Sequence, residues 1–359
     1  METQSKSIIH SLGHLLCGVI CAGAVILTPS TTQAQNLFVS LAGTGSIIEF
    51  TNGVAAQQGT FASGLTGPAG LAVDSAGDLF VSENGTGTII EFTNSVAAQQ
   101  GTFATGLYPN GLAFDRAGDL FEANENGGGI GTIIEFTNGV AAQQGTYATG
   151  VGNPYQVALD SAGDVFLTSQ ASPYVIEITP GGVRSTVSAS AVYPDGLACD
   201  SAGDLFVSEN ISDSIYEFVN NGGTLNSTPI NFASGLNSPA GLAFDSAGDL
   251  FEADSGSGNI YEFTNGVAAQ KGTFATGLNV PGALAFALKP KLNVNIKMFA
   301  GIILNNGQVG SNYLIQATSN LSGGNWTTLT NVTLPSNPYV YIDYSSDTNS
   351  QQFYRVQPQ

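Results

Sequence analysis

GPAGLAVDSAGDLFVSE, residues 67–83, decides the fold, because the chain repeats this stretch with small changes along most of its length. Each copy contains a short turn of the form Asp-x-Ala-Gly-Asp. The five turns lie 40 to 45 residues apart, at 74–78, 115–119, 160–164, 200–204 and 245–249. A period of this length predicts a repeat architecture in which each repeat is one supersecondary unit.

Each repeat predicts four short strands, a to d. Strands a and b, Gly70–Asp74 and Leu79–Ser82, flank the turn, and Gly77 supplies the positive φ that a hairpin needs. Strand c, Thr88–Thr93, is rich in β-branched and aromatic residues, and strand d ends at 101–104. No stretch after residue 34 keeps a period of 3.6 residues, so the predicted class is all-β.

The count of strands predicts how the ring closes. Strand b occurs six times, and its first copy, at Leu37, has no strand a before it. Strand a also occurs six times, and its last copy, 282–287, has no strand b after it. We therefore predict a six-bladed β-propeller over 35–288, in which the C-terminal strand a pairs with the N-terminal strands b, c and d. Such closure removes an open sheet edge.

The pattern P-x-G-L-A-x-D-x-A-G-D-L-F-V-x-E, from Pro68 to Glu83, resembles the NHL-repeat family of six-bladed propellers and is distantly similar to the gluconolactonase-like propellers. The resemblance covers about 250 residues of the chain. It implies the propeller fold. It leaves the function open, because the family includes binding platforms, lyases and relatives of calcium-dependent lactonases.

Residues 1–34 are predicted to be a secretory signal. The apolar run 15–27 is too short to span a bilayer, and Thr32-Gln-Ala34 offers small residues for cleavage before Gln35. We therefore expect a secreted, periplasmic or cell-envelope protein with no stable membrane insertion after cleavage. A retained membrane anchor is the alternative.

The composition after residue 34 excludes several kinds of catalysis. Both histidines, His10 and His14, lie in the predicted signal, and the remaining chain has one cysteine, Cys199. This excludes Ser-His-Asp and Cys-His chemistry, zinc sites that need histidine, and the histidine-dependent lyases of the resembled family. Cys199 stands where sister repeats carry Val73 and Phe114, so a buried apolar role is favoured over a reactive thiol.

The net charge of −19 argues against nucleic acid as a partner. Ten aspartates belong to the five turns, and one glutamate recurs in every strand c. Turn aspartates commonly accept hydrogen bonds from their own backbone, and the Asp-x-x-x-Asp spacing lacks the alternating ligands of a calcium loop. Turn capping is therefore favoured over calcium binding for these aspartates.

Loops d to a and b to c should emerge around the mouth of the central channel. The residue after each repeated proline marks one ring of positions: Ala69, Asn110, Tyr155, Asp195, Ala240 and Gly282. The ends of strand b mark a second ring: Glu83, Asn84, Asn124, Glu125, Glu209, Asn210 and Asp254. Because the framework is nearly copied while these positions differ, the mouth is chemically asymmetric, as one ligand on a repeated scaffold would require.

The favoured interpretation is an extracellular binding or interaction module for a ligand, glycan or protein, without catalytic residues or a required cofactor. Its predicted binding residues are Asn110, Tyr155, Asp195, Glu83, Asn124, Glu209 and Asp254. The alternative, implied by the lactonase resemblance, is a calcium-dependent hydrolase with metal ligands at Glu83, Asn124, Asp195 and Asp254. Further candidate contacts to a sugar or peptide are Arg184, Tyr155, Tyr174 and Tyr193. A third interpretation, a purely structural surface, predicts no discrete ligand.

The repeat ends after Ala287, and 289–359 is predicted to be a small β-sandwich. Its strand-like runs are 294–303, 313–317, 327–332, 339–344 and 353–356. The segment is similar to C-terminal modules appended to secreted bacterial proteins. Trp326 is interpreted as a core residue, with a sugar-stacking platform as the alternative.

Overall fold

The computed structural model describes residues 16–17, 35–125, 130–169, 172–188, 193–288, 293–297, 301–305, 308–318, 326–335, 339–341 and 353–358. The chain divides into two compact units, Thr32–Lys289 and a second one formed by Met1–Thr31 with Pro290–Gln359. The first unit contains all the repeats. No helix in the described ranges is long and apolar enough to cross a membrane.

The described part of the repeat unit forms six antiparallel sheets of four strands each. We number them in the order of their strands a. Sheet 1 is Pro68–Val73, Leu79–Glu83, Thr88–Phe92 and Gln100–Thr105; sheet 2 is Pro109–Phe114, Leu120–Asn124, Thr132–Phe136 and Gln144–Thr149; sheet 3 is Pro154–Leu159, Val165–Ser169, Ser172–Ile178 and Arg184–Ser188. Sheet 4 is Pro194–Cys199, Leu205–Glu209, Ser214–Phe218 and Ile230–Ser234; sheet 5 is Pro239–Phe244, Leu250–Asp254, Asn259–Phe263 and Lys271–Ala275; sheet 6 is Pro281–Leu288, Gln35–Leu41, Ser46–Phe50 and Gln58–Ser63. The all-β class is confirmed.

Sheet 6 joins the two ends of the repeat region. Its strand a pairs with the N-terminal strand b, with Leu284 opposite Val39 and Phe286 opposite Leu37. The strands a of sheets 1 to 6 contact one another in cyclic order, and that of sheet 6 contacts that of sheet 1. These strands therefore form a ring, with the pairing that the orphan strands of the sequence predict.

The core lies between neighbouring sheets. Phe61, on strand d of sheet 6, makes edge-to-face contacts with Phe38 of its own sheet and with Phe92 of sheet 1, at centroid distances of 4.9 and 5.1 Å. Equivalent phenylalanines repeat this contact around much of the ring. Such pairs add to the stabilisation from apolar burial.

The strands a of neighbouring sheets lie close together, because in several repeats the second residue after the proline is glycine. A Cβ at Gly70 would overlap the carbonyl oxygen of Asn110, and one at Gly196 would overlap that of Ala240. Ser82 adds a link: its Oγ accepts a hydrogen bond from Gly70 N at 2.6 Å and donates one to Asn110 O at 2.5 Å. The Pro-x-Gly-Leu pattern thus fixes the spacing of neighbouring sheets.

Both aspartates of the turn have structural roles. Asp74 Oδ1 accepts hydrogen bonds from Ala76 N and Asp78 N at 2.9 and 2.8 Å. Asp78 Oδ1 accepts one from Asn94 N, at the turn that follows strand c. Asn94 has φ 54°, a conformation that asparagine tolerates better than most residues. The carboxylates therefore hold two turns of one sheet together, which supports the capping interpretation.

Two glutamates lie in the core at the third position of strand b. Glu122 and Glu252 are fully buried, and neither has a hydrogen-bond partner for its carboxyl oxygens among the described residues. Burial raises the pKa of Glu122 to about 8. Burial, together with the charge of Asp254, raises the pKa of Glu252 to about 9 against the opposing effect of Lys271. The equivalent residues of the other sheets are apolar: Val39, Val81, Leu167 and Val207.

The connection between strands c and d differs from the prediction. In four sheets it contains two short 3-10 turns, such as Thr93–Ser95 and Ala97–Gln99 in sheet 1, where the sequence suggested only a weak extended segment. Strand d of sheet 1 spans Gln100–Thr105 and contains the predicted run 101–104. The Thr-Asn-Gly or Thr-Asn-Ser sequence forms the first turn because its asparagine adopts positive φ.

The described residues of the second unit form two sheets. One contains Leu16–Cys17, Phe353–Pro358, Asn312–Thr318 and Thr327–Thr333; the other contains Asn293–Lys297, Gly301–Asn305 and Tyr339–Tyr341. The predicted single run 294–303 is wrong, because the chain reverses within it and pairs Lys297 with Gly301. Apart from Leu16–Cys17, the predicted signal lies outside the described residues, as do 342–344.

Trp326 of the second unit is half-buried. The guanidinium of Arg355 lies over its ring at 4.5 Å, and Arg355 Nε donates a hydrogen bond to Gln316 Oε1 at 2.7 Å. Trp326 thus stacks on a cation and is only partly in the core.

Candidate functional site

One edge of each sheet contributes to the mouth, where strand a begins and strand b ends. The repeated proline lies directly opposite the last residue of strand b, as in the pairs Pro68 with Glu83 and Pro194 with Glu209. The residues before and after each proline therefore share this face with the strand-b ends. These positions, together with the first residue after strand b, define the mouth.

The polar residues at the strand-b ends hold the loops of their own sheets. Glu83 accepts hydrogen bonds from Thr66 N at 2.7 Å and from the hydroxyls of Thr86 and Thr88 at 3.1 Å. Asn124 Oδ1 accepts one from Tyr108 N at 3.0 Å. These side chains are buried, and their oxygens cap the loop between strands d and a.

The same role recurs on the opposite part of the ring. Asp254 accepts hydrogen bonds from Asn237 N at 2.7 Å and Ser257 N at 3.0 Å, and Glu209 accepts one from Ser212 Oγ at 3.0 Å. The structure thus places Glu83, Asn124, Glu209 and Asp254 at equivalent positions of four different sheets. Within the described ranges, no three acidic, histidine or cysteine side chains are grouped to hold a metal ion.

A different set, which we call the mouth arc, combines three residues that follow prolines, Asn110, Tyr155 and Asp195, with two that follow strand b, Asn84 and Asn210. Asn84 Nδ2 donates a hydrogen bond to Asn110 Oδ1 at 2.9 Å, and Asn110 Nδ2 donates one to Pro154 O at 3.4 Å. The arc runs over sheets 1 to 4. On the rest of the ring the residue after the proline is small, namely Ala240, Gly282 and Ala69.

The charge of Asp195 acts on its neighbour Tyr155. Burial raises the pKa of Asp195 to about 6, although a hydrogen bond with Asn210 opposes this rise. The charge of Asp195, followed by burial, raises the pKa of Tyr155. At neutral pH the arc therefore presents a carboxylate acceptor next to a phenol that remains protonated and can donate a hydrogen bond.

Sheet 3 departs from its neighbours at the entrance of the channel. Its residue after Tyr155 is Gln156, where sheets 1, 2, 4 and 5 have glycine. Gln156 lines a cavity of about 50 Å³ that is otherwise bordered by small and aliphatic residues of strands a. Thr168 Oγ1 accepts a hydrogen bond from Gln156 N and donates one to Asp195 O, both at 3.0 Å. This hydroxyl joins sheets 3 and 4.

Exposed aromatic residues flank the arc. Tyr108 and Tyr193, which precede the prolines of sheets 2 and 4, are 53% and 56% exposed. Tyr193 was predicted as a candidate contact, whereas Tyr108 and Gln156 were missed. Aligning the residues on either side of each repeated proline would have revealed both. Tyr174 is 38% exposed on strand c of sheet 3, and the Arg184 guanidinium donates a hydrogen bond to Thr149 O at 2.5 Å.

Comparison with solved structures identifies the architecture. A structure in a nidogen–laminin complex superimposes with a TM-score of 0.61 at 15% identity, over 71% of this chain and 98% of that chain. The fold is a β-propeller. A putative gluconolactonase matches with a TM-score of 0.52 at 13% identity, over 83% of this chain and 91% of that chain.

Virginiamycin B lyase from Staphylococcus aureus also matches, with a TM-score of 0.52 at 15% identity, over 75% of this chain and 87% of that chain. No protein-family model and no curated protein sequence matches the chain. At these identities the similarity concerns the fold alone. The predicted resemblance to NHL-like and gluconolactonase-like propellers is confirmed at that level.

Proposed function

We propose that this protein is a secreted, non-catalytic binding propeller that holds an extracellular ligand at the mouth arc. The observation that carries the proposal is the asymmetry of the mouth. Sheets 2, 3 and 4 present Asn110, Tyr155 and Asp195 where the other three sheets present alanine or glycine. Since the sheets share one framework, the fold does not require polar groups at these positions.

The roles of the other mouth carboxylates support binding at the arc. Glu83 and Asp254 already accept two or more hydrogen bonds from their own loops. These bonds hold the backbone of each loop at Thr66 N and Asn237 N, and they already occupy oxygens of the two carboxylates. Under this proposal Glu83, Asn124, Glu209 and Asp254 support the mouth, and the arc contacts the ligand.

An array of immobilised glycans and peptides, probed with the fluorescently labelled full chain, tests this proposal. Asp195→Asn and Asn110→Ala should each reduce retention of the bound ligands roughly fivefold or more, as central binding residues commonly do. Ser75→Ala, in an exposed turn at the other end of sheet 1, is the control and should bind like the wild type. Equal retention by all four proteins would contradict the proposal.

Binding should also depend on pH through Asp195. Its pKa of about 6 means that the carboxylate accepts a proton as the pH falls through 6 and then loses its strength as an acceptor. Affinity for a ligand that donates a hydrogen bond to Asp195 should therefore be highest above pH 7 and fall towards pH 5. Asp195→Asn should remove this dependence. A wild-type affinity that is constant from pH 5 to pH 8 would exclude Asp195 from the contact.

A calcium-dependent lactonase is the second candidate, and the raised pKa of Asp195 beside Tyr155 favours it, because a general base needs a pKa near the working pH. In this proposal Glu83, Asn124 and Asp254 would supply oxygens for the ion and Asp195 would act as the base, because a carboxylate bound to calcium would have a lowered pKa. A panel of lactones assayed with chelator or with added calcium separates the two functions. Calcium-dependent hydrolysis that Asp195→Asn abolishes would support the lactonase, and no turnover would support the binding propeller.

A further inference from the structure

We infer that the ligand of the mouth is a neutral glycan chain that stacks on Tyr108 and Tyr193 and hydrogen-bonds to the mouth arc between them. This inference rests on the proposed binding function and specifies its ligand class. The decisive observation is that two exposed tyrosines border the arc, one on sheet 2 and one on sheet 4. Between them, sheet 3 contributes Tyr155.

The backbone of both tyrosines is held in place. Tyr108 N donates a hydrogen bond to Asn124 Oδ1 at 3.0 Å, and Tyr108 O accepts one from Glu125 N at 3.1 Å. Tyr193 O accepts one from Asn210 N at 3.4 Å. The backbone that carries each ring is therefore anchored to the end of strand b, so a ligand does not have to order these two backbone positions.

The chemistry of these groups suits a sugar. A tyrosine ring offers a rigid apolar face and a polar edge, which matches a pyranose with its C–H face and its hydroxyl rim. The amides of Asn84 and Asn210 and the carboxylate of Asp195 provide donors and acceptors for hydroxyl groups, and the buried Asn110 positions Asn84. Exposed rings on alternate sheets favour an extended chain over a single small molecule.

Charge and ring arrangement decide between ligand classes. The sequence has no Lys or Arg at any mouth position or in the loops d to a and b to c, and the mouth carries Asp195 and Glu125. An acidic glycan would therefore be repelled. The ring-to-ring contacts of the described residues include neither Tyr108 nor Tyr193, so these two rings do not form the closed cage that recognises a cationic group.

Native affinity electrophoresis of the full chain tests this inference. The gels contain a neutral polysaccharide (laminarin, xyloglucan or mannan) or the acidic polygalacturonate. At least one neutral polysaccharide should retard the wild type, and Tyr108→Ala and Tyr193→Ala should each weaken its binding roughly fivefold or more. Ile230→Ala, at an equally exposed position on the outer strand of sheet 4, should not change it.

The outcomes separate this inference from the proposed function. Retardation that survives both tyrosine substitutions, or that occurs only with polygalacturonate, would overturn the stacking of a neutral glycan. Absence of glycan binding, combined with peptide binding that Asp195→Asn abolishes, would overturn the glycan class and leave the binding function intact. Absence of both glycan and peptide binding would overturn the inference and the proposed function together.

Discussion

Replacement of Glu122 by valine should stabilise the propeller, and the gain should grow with pH. Glu122 is fully buried on strand b of sheet 2, and its carboxyl oxygens have no hydrogen-bond partner among the described residues. Sheets 1 and 4 carry Val81 and Val207 at this position. A valine therefore fits the space between two sheets of the same design, and Glu122→Val removes an unsatisfied polar group.

The magnitude follows from proton binding. The pKa of Glu122 rises from 4.5 to about 8 on folding, so the native state holds more protons than the unfolded state between these values. Stability therefore falls as the pH rises through this window and stays low above it. Compared with low pH, the free energy of unfolding falls by about 3 kcal/mol at pH 7 and by about 5 kcal/mol above pH 8. At pH 4.5 the ionisation of Glu122 lowers the free energy of unfolding hardly at all.

Thermal melts of the wild type and of Glu122→Val between pH 5 and pH 9 measure this effect. At roughly 2–4 °C per kcal/mol for a unit of this size, the variant should melt about 6–12 °C higher at pH 7, with a smaller difference at pH 5. Glu122→Gln should remove the part of the pH dependence that comes from Glu122, while the part from Glu252 remains, and it should recover less stability because its amide also lacks a partner. Glu135→Gln, on the partly exposed strand c of the same sheet, is the control. Parallel melting curves for the wild type and Glu122→Val would refute the reasoning.

Three further predictions concern the framework. Asp74→Ala should lower the free energy of unfolding by about 1 kcal/mol, because Ala76 N and Asp78 N lose their acceptor. Urea denaturation measures this loss, with Ser75→Ala as the control, and equal stability of the two variants would contradict the capping role. Val280→Gly should raise the melting temperature, because Val280 has φ 54°, which strains a β-branched residue, and sheet 1 has Gly67 at this position. A lower melting temperature would show that the valine side chain stabilises the loop. Cys199 should not react with a thiol reagent in the native state, because burial raises its pKa, and rapid labelling before unfolding would contradict this.

The repeat could be predicted from the sequence because each of its signals has a local cause. The Asp-x-Ala-Gly-Asp turn caps itself through Asp74, and alternating residues of strands a and b fill the space between sheets. The orphan strands at 37 and 282–287 predicted their own pairing. The 3-10 turns after strand c were missed because the positive φ of Asn94, which the Thr-Asn-Ser sequence allows, is fixed by a contact with the distant Asp78.

The site was only partly predictable. The residue after each proline could be read from the repeat, and Asn110, Tyr155 and Asp195 lie on successive sheets as expected. The strand-b ends have the same polar character in the sequence, yet their oxygens turn towards their own loops, as the contact of Glu83 with Thr66 shows. Sequence patterns record which residue occupies a position and leave open which neighbour satisfies its hydrogen bonds.

The most direct test of binding at the mouth arc is a ligand-dependent thermal melt of the full chain. The strongest ligand from the array is added to the wild type and to the double variant Tyr155→Phe/Asp195→Asn, and each is compared with its own ligand-free melt. A ligand present at a hundred times its Kd adds about 2.7 kcal/mol, which corresponds to roughly 5–10 °C for this propeller. We predict this rise for the wild type and at most about half of it for the variant, because a tenfold loss of affinity reduces the gain to about 1.4 kcal/mol. An equal rise in both proteins would contradict the account.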